Sequence, residues 1–197
     1  ILLWSTPART PMWPKGSSER MNGCSIIISA LADLTGLATP LYTLAEAIAT
    51  LPCCSVFEIS LERVEKPCSA AYLSITIEED HGGPDRDIVH EMEEVINKIG
   101  LSPPAAALAH TILADLVSVE NHLYPSSCHT FASVDTIFDI LGPLAVLEEA
   151  GLFGCPVYTT PPARGGGMIQ TSGGEVGGLA PASLEICARH RIPVSES

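Results

Sequence analysis

Asp135 and Asp139 lie four residues apart in SVDTIFDILGPLAVLEEAG, a stretch that is mostly apolar. If the stretch is helical, the two carboxylates lie on one face and repel each other unless a cation, a hydrogen bond or the helix N-terminus compensates their charge. A divalent cation bound by both carboxylates would do so, and His129, a little upstream, could add a nitrogen ligand, whereas the carboxylates alone would suit Mg²⁺ or Ca²⁺ better. These three residues are the predicted metal ligands.

All three residues also have a structural interpretation. Asp135 can accept hydrogen bonds from the backbone N–H groups that the first turn of a helix leaves without helical acceptors. Asp139 would then bond to neighbouring backbone. Pro143 cannot donate to the carbonyl of Asp139, so we expect the helix to bend there. A lone histidine such as His129 is often a hydrogen-bonded structural residue. The residue pattern alone therefore leaves ligation and structural roles open.

A glycine-rich run, ARGGGMIQTSGGEVGG, is the second candidate site. The backbone N–H groups of Gly165, Gly166 and Gly167 could approach a phosphate closely, and the guanidinium of Arg164 could pair with it. These four residues are therefore predicted to bind a substrate. Because neither G-K-[ST] nor G-x-G-x-x-G is present, turns that need a positive φ explain the glycines equally well.

The elements that would position these residues are indicated by hydrophobic periodicity and by helix caps. SVFEISLERVE and SAAYLSITIEE alternate apolar and polar residues, which predicts two antiparallel strands joined by the turn KPCS. Asp87 and Ser102 are suitable N-caps, and Gly100 is a suitable helix stop. A further strand is predicted at CPVYTTP, and helices are predicted at about 25–34, 41–51, 87–100, 102–124, 129–151 and 181–192.

This order of elements predicts an α+β fold, with helices packed on a small mixed sheet. The chain has 197 residues, of which 46% are apolar, so it is long and apolar enough to bury a core. We expect one domain over residues 1–197. It would have a loop-rich start at 1–24, helices and the strand pair at 25–127, and the candidate sites at 128–197.

Composition narrows the classes of ligand. The chain has 10 Lys and Arg against 23 Asp and Glu, a net charge of −13, which argues against nucleic acid as a partner. No apolar run reaches the roughly 18 residues of a membrane span, and no signal peptide is recognisable. Seven cysteines at scattered spacings predict reduced thiols in a cytoplasmic protein. A metal ion or a small-molecule cofactor precursor remains the expected ligand, and a homo-oligomer is compatible with the sequence.

Two segments together resemble one known family. CHTFASVDTIFDILGPLAVLEEAG resembles the segment of nickel insertion proteins of the LarC type that reads roughly H-x-H-E-x-x-x-x-D-x-x-x-D-I-x-G. The stretch from 157 to 194 resembles the strand, glycine-rich turn and helix that follow in that family. The resemblance implies the N-terminal half of a protein that inserts nickel into a pyridinium-derived mononucleotide, the nickel-pincer cofactor. It also implies a separate C-terminal domain, absent here, through which a nucleotide would act.

The departures from the family pattern define an alternative. Ser127, Thr130 and Gly173 stand where the family has His, Glu and His, whereas His129, Asp135 and Asp139 are kept. The resemblance thus implies either part of a lyase-type nickel chelatase or a non-catalytic assembly or ligand-binding domain that keeps the fold. Nickel retention that depends on the kept residues would distinguish the two.

Overall fold

The computed structural model describes residues 23–65, 69–79, 87–123, 133–164, 168–171, 174–177 and 180–196. The predicted loop-rich start therefore lies outside the described residues, apart from its last two positions. The helices are α1 (Gly23–Thr35), α2 (Thr39–Ile48), α3 (Ile88–Ile99), α4 (Pro103–Leu123), α5 (Val134–Glu149) and α6 (Pro181–Arg189). The strands are β1 (Cys54–Val64), β2 (Ala70–Glu79), β3 (Ala163–Arg164), β4 (Met168–Thr171), β5 (Gly174–Gly177) and β6 (Ser195–Glu196). These elements confirm the α+β class.

The two long strands form the predicted antiparallel hairpin. Phe57 pairs with Ile77, and Leu61 pairs with Leu73. Because side chains alternate along a strand, these odd-numbered residues share the face that packs on the helices. Glu58, Ser60 and Glu62 alternate with them and are exposed. The described strands form three separate pairs: β1 with β2, β4 with β5, and a short parallel pair of β3 with β6.

Helix α5 lies at the centre of the core. The ring of Phe138, which has no exposed surface, lies 5.3 Å from the ring of Phe57 on the hairpin, measured between centroids. Helix α5 also packs against α1, α2 and α4. A Cβ at Gly142 would lie 2.9 Å from Cδ1 of Ile28 on α1, so any larger residue here would require the buried Ile28 side chain to shift. The helix that carries the two aspartates is therefore firmly anchored.

The predicted ends of α3 are confirmed. Asp87 accepts hydrogen bonds from the backbone N–H groups of Val89 and His90, both at 3.1 Å. Gly100 ends the helix in the left-handed conformation, with φ at 70°.

The predicted strand at CPVYTTP is wrong. Residues 155–161 belong to neither helix nor strand, and the next strand begins only at Ala163. Val157 is 83% exposed and Tyr158 is 92% exposed, so these residues of high strand propensity have no neighbouring strand on which to pack. Pro156 and Pro161 also lack the N–H groups that a ladder needs.

No helix in the described part of the chain is both long enough and apolar enough to cross a membrane.

Candidate functional site at the start of α5

Ser133 precedes α5 and has the extended backbone of an N-cap residue, with φ at −136° and ψ at 156°. Within the described residues, its side chain does not cap the helix by accepting a backbone N–H. Its hydroxyl instead donates to Oδ1 of Asp135, and its oxygen lies 3.3 Å from the hydroxyl of Thr136. The serine therefore holds the carboxylate of Asp135 rather than the backbone of the helix.

The carboxylate of Glu79 caps α5 from outside. The N–H of Val134, the first residue of the helix, donates to Oε1 of Glu79 at 3.1 Å and to Oε2 at 3.3 Å. Val134 is fully buried, so water cannot easily satisfy this donor. The negative charge of Glu79 also lies favourably at the positive end of the helix dipole. The end of β2 is thus joined to the start of α5.

Asp135 and Asp139 lie on one face of α5, as predicted, because the helix is continuous from Val134 to Glu149. Both side chains are half-buried, and Oδ1 of Asp139 is fully buried. Each aspartate makes interactions within the chain. Pro143 lies inside α5, and the helix continues beyond it to Glu149.

His129 lies outside the described residues, as do Gly165, Gly166 and Gly167. The backbone of Arg164 lies in β3, where it pairs in parallel with Glu196. The structure therefore places Asp135 and Asp139 on one face of α5. Their role as metal ligands stays a prediction, as do the roles of His129, Arg164 and the three glycines. Among the described residues, no three His, Cys, Asp or Glu side chains come together in a group that could hold a metal ion.

Three other histidines lie at the surface in pairs with carboxylates. Nε2 of His110 lies 2.8 Å from Glu93 across the α3–α4 contact, and Nε2 of His90 lies 3.2 Å from Glu94 one turn along α3. An open groove of about 630 Å³ runs beside the first of these pairs, and none of its lining residues is a predicted site residue. In each of these pairs the histidine contacts its own carboxylate. Neither pair is part of a group of three possible metal ligands within the described residues.

The third pair belongs to the contact between α4 and α6. Nε2 of His190 lies 2.8 Å from Oδ2 of Asp115, and Nη1 of Arg189 donates to Oγ of Ser118 at 2.7 Å. Arg189 also donates to Glu185 at 2.8 Å, and this hydrogen bond lowers the pKa of the Glu185 carboxyl, with the nearby positive charges acting in the same direction.

The sequence prediction missed Glu79 and Ser133. The sequence does contain evidence for Glu79, because strand alternation places it on the same face of β2 as Leu73, Ile75 and Ile77. That face packs on the core. A carboxylate at a core-facing position needs a hydrogen-bonding partner. The sequence does not reveal that this partner is the first N–H group of α5.

The family model for nickel insertion proteins matches residues 24–197, which is most of the chain. This chain belongs to the nickel insertion protein family. The match extends from α1 to the C-terminal end and includes both aspartates of α5. The family assignment made from the residue pattern is confirmed.

Two relatives show how far the sequence similarity of this chain extends. One from Geotalea uraniireducens, named "Putative nickel insertion protein", is 27% identical over 162 residues, which are 79% of this chain and 40% of the relative. One of the same name from Methanothrix thermoacetophila is 30% identical over 105 residues, 51% of this chain and 26% of the relative. The chain thus spans well under half the length of these relatives. No solved structure matches it.

Proposed function

We propose that this chain handles nickel as cargo in the maturation of a nickel-pincer cofactor, with His129, Asp135 and Asp139 as the metal ligands. Imidazole suits nickel, and two carboxylates complete a mixed N/O ligand set. The observation that carries the proposal is the start of α5, where Ser133 holds the carboxylate of Asp135 one turn from that of Asp139.

Chain connectivity supports the inclusion of His129. The four Cα–Cα steps from His129 to Ser133 can span at most about 14 Å, even when the chain is fully extended. This distance is short enough for His129 to contribute a ligand to a site at the start of α5. The like charges of the two aspartates also favour a cation between them, because a cation removes their mutual repulsion.

The finer parts of the proposal concern the cofactor precursor and the rest of the pathway. Arg164, Gly165, Gly166 and Gly167 are proposed to bind the phosphate of a pyridinium-derived mononucleotide. Nucleotide-dependent chemistry of the lyase-type chelatase is assigned to the part of the relatives that this chain does not cover. A cytoplasmic location fits the thiol-rich composition.

A second candidate function is a non-catalytic assembly or ligand-binding domain. It is favoured by Ser127, Thr130 and Gly173, which lack the imidazole and carboxylate groups present at these positions in the family pattern. Such a domain would keep the packing of α5 against the hairpin and lose the metal.

The test is nickel content after loading. The chain, purified without a histidine tag, is loaded with Ni²⁺, freed of excess metal by gel filtration and analysed for nickel per chain. The variants are His129→Ala, Asp135→Asn and Asp139→Asn, of which the two asparagines preserve side-chain size. Matched controls are His90→Ala and Asp33→Asn, which change the same residue types at positions outside the proposed site.

We expect about one nickel per chain in the wild type and in both controls, and its loss in each of the three site variants. A wild-type chain without retained nickel would support the assembly domain instead. Nickel retained equally by all variants would place the metal elsewhere in the chain.

A further inference from the structure

The hairpin of β1 and β2 has open edges. Among the strands that the structure describes, neither long strand has a second neighbour. The backbone N–H of Leu61 on β1 donates to the hydroxyl of Tyr42 on α2 at 3.4 Å, so the backbone groups of Leu61 point away from β2. Leu73 is the partner of Leu61 in the hairpin, and its backbone groups therefore point away from β1. The outer edge of β2 consists of the backbone groups of Leu73 and of every second residue on either side of it.

The two edges differ in how they are protected against pairing. Strand β1 carries Glu58, Glu62 and Arg63, and one of its outward N–H groups already donates to α2. Charged side chains and covered backbone groups are the usual means by which proteins prevent an edge strand from pairing. On β2, by contrast, residues 70–77 include no charged side chain. The edge of β2 thus lacks the charges that protect β1.

Helix α1 adds an apolar surface on the same side of the hairpin. It packs on β2 and α5, whereas α2 packs on β1. Ile26, Ile27 and Leu34 of α1 are 61%, 56% and 78% exposed. The one charged residue of α1, Asp33, is paired with Arg63 at 3.0 Å. The β2 side of the molecule therefore combines an uncharged strand edge with exposed apolar side chains, as interaction surfaces commonly do.

We infer that the outer edge of β2 pairs with the same edge of a second copy of this chain, antiparallel and about a twofold axis at Ser74. Ala71 then pairs with Ile77 of the partner subunit, and Leu73 pairs with Ile75 of the partner subunit. These are the residues whose backbone groups point outward, so each pair exchanges the hydrogen bonds of an antiparallel ladder. The two hairpins together form a continuous four-stranded sheet.

Charge favours a second copy as the occupant of this edge. Each chain has a net charge of −13, so two copies repel each other unless they meet where like charges do not face one another. In the pairing about Ser74, Glu78 lies opposite Ala70, and no charged residue of β2 lies opposite another. A pairing of β1 with itself about the middle of the strand would instead place Glu58 opposite Glu62. The pairing needs no nickel, so it stands apart from the proposed function.

The test uses charges placed at the twofold axis. Ser74→Lys and Ser74→Glu each put two like charges opposite one another across the axis, whereas an equimolar mixture of the two variants puts opposite charges there. The matched controls are Ser60→Lys and Ser60→Glu. Ser60 pairs with Ser74 within the hairpin, on the same outer face, but it lies on the strand away from the axis. Sedimentation equilibrium over a range of chain concentrations gives the mass and the dissociation constant of the dimer.

We expect the wild type and both Ser60 variants to have twice the mass of one chain. Each Ser74 variant alone should dissociate at least about tenfold more readily, because like charges in direct opposition are costly in an interface. Mixing Ser74→Lys with Ser74→Glu should restore the dimer, because the facing charges then attract. A variant that merely folds poorly would gain nothing from mixing, so recovery separates pairing at Ser74 from a loss of structure.

Four results would overturn the pairing. A wild-type chain that stays monomeric at every concentration would mean that β2 has no partner of this kind. A dimer that neither Ser74 change weakens would place the contact elsewhere on the surface. Equal dissociation of the Ser60 and Ser74 variants would remove the distinction between the two strands. Ser74 variants that stay monomeric when mixed would exclude a twofold axis at Ser74.

Discussion

The start of α5 and the surface of α6 are both joined to the rest of the molecule by polar contacts, but their surroundings differ. Val134, which receives the Glu79 cap, is fully buried, and α5 continues into the core through Phe138. Among the described side chains of α6, none is buried, and the helix is joined to α4 through His190 and Arg189 at the surface.

The difference indicates which contacts contribute most to the stability of the fold. Contacts shielded from water keep their strength, whereas exposed ion pairs contribute between zero and about 1 kcal/mol each. The aspartates of α5 are therefore presented on a rigid element. The polar contacts of α6 with α4 lie at the surface, so each of them is expected to contribute little to stability.

The largest predicted effect comes from the core of the α5 region. Phe138→Ala removes a fully buried ring that contacts Phe57, so we expect a loss of about 3–5 kcal/mol in the free energy of unfolding. Urea denaturation measures it. Tyr158→Ala removes an aromatic ring that is 92% exposed and should change stability by less than about 0.5 kcal/mol. Similar losses in the two variants would contradict the contrast between core and surface.

A smaller effect is predicted for the α4–α6 contact. The double variant Asp115→Asn with Ser118→Ala removes the acceptors of His190 and Arg189. Amide hydrogen exchange in α6 should become faster by up to about thirtyfold, the limit for two lost contacts of about 1 kcal/mol each, while exchange in α5 stays unchanged. Faster exchange in both helices would mean that α6 stabilises the core.

The smallest effect concerns pH. Arg189 lowers the pKa of Glu185 below its ordinary value of 4.5, so the charged form of Glu185 is favoured in the folded chain. A lowered carboxyl pKa contributes stability above the unfolded value, and that contribution is lost as the pH falls below about 4.5 through the folded pKa. Arg189→Gln should raise the pKa of Glu185 in an NMR titration. An unchanged pKa would show that Arg189 is not the cause.

Local patterns in the sequence predicted much of this fold. Alternation predicted the two antiparallel strands of the hairpin, and the structure adds their register, in which Phe57 and Leu73 face inward. Periodicity placed Asp135 and Asp139 on one helical face. Strand propensity failed at Val157 and Tyr158, because a strand also requires a neighbour, and propensity contains no information about neighbours.

The candidate site was predictable only in part, for the same reason. The two aspartates are related by helical spacing, which is local. The Glu79–Val134 hydrogen bond joins residues 55 positions apart, and only the packing of the hairpin on α5 brings them together. The resemblance to nickel insertion proteins supplied the chemistry expected of the aspartates, and the structure supplied Ser133, whose hydroxyl donates to Asp135.

Nickel content per chain is the most direct test of the central claim that the start of α5 presents a metal site. The measurement compares the wild type, Asp135→Asn and the control Asp33→Asn after identical loading with Ni²⁺ and removal of the excess. About one nickel in the wild type and the control, and none in Asp135→Asn, is the predicted result. Equal nickel in all three, or none in any, would contradict the assignment of the site to α5.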